Sequence, residues 1–351
     1  MSERPERPRL VFATYSRLWP VAQIGVLKRC LRLIPHLPPG VEIHLVNFGP
    51  LPEADPLVQE VCPRLTLHLN LHDAGEGELT AFLRHLSPHA VVLGEAPLAG
   101  SMERLSRAAA GLGLPQVGIE NHYGAFTFDH LRQHWPQVAG WLTLGLTPRG
   151  EATTPRPGEE VAPPLVRPPA HPPPRREGLC LLGYDEQTLL CGIRLVGRLP
   201  ADVPLKVFTT PAELARLSRY DVERARPGTA LRGLPHEDEL YAALASSKVV
   251  LCKNGYQQIV EALCFGARVV CRVAPGGVLP ELIDPAWRPY LRAVSDRTDL
   301  AALALDVALW CADEAPTPWA SYLDAPIAPI PLAAQRLVHL LTRAVGGERA
   351  A

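Results

Sequence analysis

Short apolar runs alternate with helix-length amphipathic segments from one end of this chain to the other. Runs at 10–15, 41–48, 65–69, 90–93, 116–120 and 141–146 read as buried strands. Segments at 20–34, 77–86, 101–112 and 127–134 carry apolar positions at helical spacing. A second series follows, with strands expected at 179–182, 205–208, 230–233, 248–252 and 268–273 and helices at 185–197, 211–218, 236–246, 256–265 and 299–312. A last amphipathic helix is expected at 332–345. Such alternation predicts an α/β fold with parallel sheets. The expected division is an N-terminal Rossmann-like domain at 1–154, a proline-rich linker at 155–176, a C-terminal Rossmann-like domain at 177–330 and a helix and tail at 331–351. Two doubly wound domains of this kind face each other across a cleft and trap a ligand at the sheets' carboxyl ends.

Composition narrows the function classes. Nine of the 38 prolines crowd into residues 155–174, where they block both helix and sheet and so mark the linker. Lys plus Arg number 35 against 36 Asp plus Glu, so the chain lacks the basic excess that a nucleic-acid partner requires. No apolar run reaches the roughly 18 residues of a membrane span, and the charged start MSERPERPRL does not read as a secretory signal. Eight scattered cysteines without a C-x-x-C pair or a nearby histidine cluster predict free thiols in the cytoplasm and no metal site.

The stretch CKNGYQQIVEALCFGARVV, residues 252–270, carries the most chemistry. It reads as the end of a buried strand, a turn at Asn254-Gly255, a helix over 256–265 closed by Gly266, and another buried strand. Free amides at a helix N-terminus, with a glycine that lets the backbone approach closely, suit a phosphate or diphosphate. Glu261 lies about one and a half turns further on, within reach of sugar hydroxyls. Gln257 and Gln258 are open between ligand contact and ordinary first-turn polarity.

This segment resembles the donor-nucleotide motif of GT-B glycosyltransferases, the branch of bacterial UDP-sugar enzymes that includes the lipid-linked peptidoglycan GlcNAc transferase, of family 28 C-terminal-domain type. Gly255, Glu261, Ala262 and Gly266 match its pattern, while Lys253-Asn254, Gln258 and Ala267 depart from it. Segments 87–121, 159–169, 178–186 and 230–252 extend the resemblance over nearly the whole chain. The resemblance implies that Glu261 binds ribose, that the amides of Gly255 to Gln257 meet the diphosphate, and that Gly183, Tyr184 and Asn254 help to hold the nucleotide. It further implies no cofactor beyond the UDP-sugar donor, a lipid-linked glycan as one acceptor class, and membrane contact at most peripheral, at the inner face.

Glycosyl transfer needs a base for the acceptor hydroxyl. The loop Ala13 to Arg17 lacks the glycines and histidine that relatives carry there, so the base is sought at other strand ends. Glu95, Glu120 and His122 are the candidates, with the cluster Glu120-Asn121-His122 the most attractive. The absence of D-x-D fits a metal-independent mechanism, and Walker A, G-x-S-x-G and H-E-x-x-H are also absent. Three readings stay open: a glycosyltransferase with an unidentified acceptor, a nucleotide-sugar 2-epimerase or hydrolase, and a catalytically silent protein that binds a nucleotide sugar or a partner.

Overall fold

The computed structural model describes residues 7–16, 25–53, 55–97, 100–121, 128–146, 158–169, 171, 176–209, 230–233, 237–273 and 285–346. The expected helix at 211–218, Arg17 and the base candidate His122 lie outside them. The chain forms two compact units, one of residues 1–165 with 327–351, the other of residues 166–326.

The first unit is built on β1 (Arg9–Tyr15), β2 (Glu42–Phe48), β3 (Thr66–His68), β4 (Ala90–Leu93), β5 (Gln116–Asn121), β6 (Gly140–Leu144) and β7 (Glu159–Ala162). All are parallel, in the order β3-β2-β1-β4-β5-β6-β7. Helices α1 (Gly25–Leu33), α2 (Pro56–Val61), α3 (Glu76–Leu86), α4 (Gly100–Gly111) and α5 (Phe128–His134) connect the strands. The sheet separates two apolar clusters, as its alternating side chains require. Leu10, Phe12 and Val92 face one cluster, whereas Val11, Ala13 and Val91 face the other. Gly118 shows how tight this packing is, since a Cβ there would lie 2.2 Å from the Trp141 ring.

Two features depart from the expected boundaries. Strand β7 lies inside the segment read as linker, because Glu159 to Ala162 form a proline-free window between the prolines and can pair with β6. The last helix, here α10 (Pro329–Val345), completes the first unit's core instead of standing apart as a helix and tail. Its Ile330, Ala333, Ala334, Leu337, Leu340 and Leu341 join the cluster of Leu10 and Phe12. Glu160 on β7 pins it in place, accepting from Arg336 at 3.3 Å and pairing with His339 at 2.7 Å.

The second unit carries β8 (Leu179–Gly183), β9 (Leu205–Thr209), β10 (Ala230–Arg232), β11 (Val249–Lys253), β12 (Arg268–Arg272) and β13 (Leu291–Val294), parallel in the order β10-β9-β8-β11-β12-β13. Its described helices are α6 (Glu186–Val196), α7 (Glu237–Ala245), α8 (Tyr256–Cys264) and α9 (Leu300–Ala312). Asp185 caps α6 by accepting from the Thr188 N–H at 2.9 Å, and Asp299 caps α9 in the same way through Ala301. Leu179, Leu181, Val249 and Leu251 pack against α6 and α9, and the helix α8 rests on β11 and β12. No disulfide joins any of the eight cysteines; burial pushes the Cys30 and Cys180 thiols up to about 12, so these two act as small apolar groups.

Candidate functional site

In both sheets the strand order reverses at a defined place, between β1 and β4 in the first unit and between β8 and β11 in the second. Loops leaving such neighbours diverge to opposite faces and open a crevice at the strands' carboxyl ends, where ligands of open α/β sheets bind. Gly183, Tyr184, Asn254 and Gly255 fall at the second of these places, and Glu95 at the first.

In the second unit, Gly183, Tyr184 and Asp185 follow β8, and Lys253, Asn254 and Gly255 end β11 and lead into α8. Gly183 is required by close packing, because a Cβ would lie 2.7 Å from Leu189 Cδ1, and its carbonyl accepts from Thr209 Oγ1 at 2.7 Å. Burial lifts the Tyr184 phenol well above its ordinary range, with the nearby Cys180, Glu261 and Cys252 adding to the effect, so it remains a neutral hydroxyl. The Asn254 N–H donates to Arg272 O at 3.0 Å, which anchors the turn to the neighbouring strand end.

Gly255 is the N-cap of α8 with no side-chain cap on the helix. Its own N–H donates to Lys253 O at 2.7 Å. The amides of Gln257 and Gln258 in the first turn point outward from the helix start, as the geometry of any α-helix demands. Two side chains flank the bare Gly255: a Cβ there would lie 3.4 Å from Gln258 Oε1 and 3.9 Å from Lys253 Cε. Gln258 Oε1 is buried with no hydrogen-bond partner.

Gln257 and Glu261 are joined, with Gln257 Nε2 donating to Glu261 Oε1 at 2.9 Å. The Tyr241 hydroxyl on α7 donates to the same oxygen at 3.4 Å, and Glu261 is only 4% exposed. Gln257 is therefore placed by Glu261, and Glu261 by two protein donors, while its charge also reaches Tyr184.

Lys253, which the sequence reading passed over as a departure from the family pattern, stands at the same place. The chain has four lysines. Lys28 pairs with Asp55 at 2.7 Å, Lys206 donates to Ser246 Oγ at 2.6 Å and Lys248 pairs with Glu314 at 2.8 Å. For the Lys253 ammonium the described residues supply neither an ion pair nor a hydrogen bond. Burial lowers its pKa below the usual lysine value, opposed by the Asp185 charge. A half-buried cation without a partner is costly until an anion arrives. The signal available in the sequence was its position, directly before Asn-Gly at the end of a buried strand.

In the first unit, Tyr15 ends β1, Glu95 lies just beyond β4 and Glu120 sits near the end of β5. Glu120 is buried at 6% exposure, and both of its oxygens accept backbone N–H groups at 2.8 Å, from Ala96 and Asn121. Arg29 of α1 lies 3.8 Å from it and donates to Gly94 O at 2.7 Å and Ile119 O at 3.1 Å. This lattice ties the Glu120 carboxyl to the loop after β4.

Glu95 is placed differently. Burial, and then the Glu120 charge, raise its pKa to about 7, against the pull of Arg29 and a side-chain hydrogen bond from Tyr15. Tyr15 is raised to about 12, by burial first and the Glu95 charge second. A half-buried carboxyl that titrates near neutrality is suited to taking or giving a proton. No group of three or more His, Cys, Asp or Glu side chains able to hold a metal occurs among the described residues, and no described helix is long and apolar enough to cross a membrane.

No protein-family model and no curated protein matches the sequence. Solved structures do match in fold. MurG of Acinetobacter baumannii is 13% identical with a TM-score of 0.58, over 96% of this chain and 100% of its own. A UDP-N-acetylglucosamine 2-epimerase is 14% identical with a TM-score of 0.58, over 99% and 98%. The spinosyn rhamnosyltransferase SpnG, solved with thymidine diphosphate, is 13% identical with a TM-score of 0.51, over 97% and 99%. The chain thus has the two-domain α/β GT-B fold, which transferases and epimerases of nucleotide sugars share.

Proposed function

We propose that the protein is a glycosyltransferase that moves a sugar from a nucleoside diphosphate donor, UDP-linked by resemblance, to an acceptor hydroxyl. The observation that carries this reading is Lys253, a half-buried cation unpaired among the described residues, at the start of α8 beside a glycine that leaves the helix end open. The second unit holds the donor. Lys253 and the amides of Gln257 and Gln258 meet the diphosphate, the helix dipole adds to their field, and the orphan Gln258 Oε1 accepts from a ligand hydroxyl. Tyr184 and Glu261 line the ribose side.

The first unit supplies Glu95 as the base. Its carboxylate takes the proton of the acceptor hydroxyl as the new C–O bond forms at the anomeric carbon. The bond from that carbon to the β-phosphate oxygen breaks, and the diphosphate leaves with the electron pair. Charge building on the leaving group is stabilised by fixed donors, the kind of term that dominates many enzymes. His122 remains a sequence-based proposal only.

The pairing of Glu95 with Tyr15 favours a second reading, nucleotide-sugar 2-epimerisation, in which a proton is removed from and returned to one carbon by two groups. Assay for UDP release with and without a panel of glycan and lipid-linked acceptors separates the two. Release that depends on an acceptor supports transfer. Solvent deuterium entering an unconsumed UDP-sugar without acceptor supports epimerisation, and no turnover of any nucleotide sugar overturns both.

A further inference from the structure

Helix α9 buries one face through Leu303, Ala304, Val307 and Trp310, but its opposite face is also apolar. Leu305 and Leu309 are 69% and 68% exposed, and around them stand Ala301, Ala302, Ala308 and Ala312, with Asp306, paired to Arg292, at the edge of the patch. An ordinary surface helix carries charged or polar residues there. Beside the leucines runs a shallow groove, lined by Arg198, Leu199 and Pro200 after α6 and by Ala301, Ala304 and Ala308. We infer that this face is the contact surface for a second copy of the chain, with α9 packed antiparallel against its two-fold mate.

Three observations select a second copy over other occupants. The patch presents a knob and a groove side by side, and a two-fold contact is formed when one patch complements itself. The alanines let two helices approach to the close end of the roughly 8–10 Å range. The charges complement as well. Arg198 lies at the groove beside the N-terminal half of α9, and Asp313 and Glu314 follow its C-terminal end. Those two carboxylates stay 42% and 72% exposed even with Arg268 and Lys248 paired to them. Antiparallel packing brings one copy's acidic end over the other's Arg198. An anionic bilayer fits less well, because Asp299 and Asp313 stand at both ends of the helix and, among the described residues, no aromatic side chain is exposed on this face. A 13-residue helix is about 20 Å long, too short to bury by itself the roughly 800 Å² per partner of a standard interface. The dimer is therefore expected to be weak, with dissociation in the micromolar range.

Sedimentation velocity of the full chain, from about 1 to 100 µM, tests the inference. The expected result is a reversible monomer–dimer equilibrium that weakens with salt. Leu309→Arg should hold the chain monomeric at every concentration while leaving its circular dichroism and melting temperature unchanged, since the side chain is exposed. A wild-type chain monomeric throughout overturns the inference. So does a dimer that Leu309→Arg and Leu305→Asp both leave intact, or a monomer that floats with anionic vesicles through this same face.

Discussion

Where strand order reverses, the first unit gathers negative charge and the second leaves a positive charge unanswered. Glu120 is held by two backbone amides and lies beside Arg29, and burial, followed by the Glu120 charge, raises the neighbouring Glu95 to about 7. Lys253 has no such partner among the described residues and stands beside an uncapped helix start. The same topology has thus been filled with opposite chemistry, one side suited to handle a proton and the other an anion. The difference teaches that sheet topology sets the place of a site, while the count of satisfied partners around each charge sets what the site does.

The sharpest way to break this contrast is Glu95→Gln. It should lower turnover about 10²- to 10⁴-fold, the usual worth of a positioned base, with nucleotide affinity unchanged by titration calorimetry. A variant that lost affinity and turnover equally would move Glu95 to the donor side. Next in size, Lys253→Met should weaken UDP binding roughly 10- to 100-fold, the range for a charge-assisted hydrogen bond. The ligand-free melting temperature should hold or rise, because an unpaired half-buried charge has been removed.

A smaller effect comes from pH. Glu95 folds with its carboxyl raised from about 4.5 to about 7. Below 4.5 it is protonated in both the folded and unfolded states. As pH climbs to 7 the unfolded chain ionises first, so folding stability falls over that window and then levels off. Turnover should rise through the same pH near 7, and Glu95→Gln should abolish the stability slope, both measurable by thermal melts and rate profiles. Glu261→Ala should cost about 1–3 kcal/mol in denaturant titrations, because Tyr241 and Gln257 lose their shared acceptor. Its effect on UDP affinity should be smaller than that of Lys253→Met.

Much of the fold was legible because parallel strands buried on both faces write continuous apolar runs, as at Leu10 to Ala13 and Val249 to Cys252. Strand β7 was hidden by the prolines around it, and β13 because Leu291 to Val294 is short and buried only at its two ends. The docking of α10 onto the first sheet could not be read locally, since an amphipathic helix does not name its partner. Gly255, Gln258 and Glu261 were found from the strand-turn-helix pattern. Their ranking, and the exchange of Glu120 for Glu95, depended on which polar atoms already have partners, a property of the folded chain that spacing does not carry.

The most direct test of the account is calorimetric titration of the wild-type chain and Lys253→Met with UDP and with uridine, which lacks the phosphates. The account predicts that UDP binds the wild type far more tightly than uridine does and that Lys253→Met removes most of that difference. Equal affinity of the two proteins for UDP would contradict it, because the anion would then be held somewhere other than the start of α8.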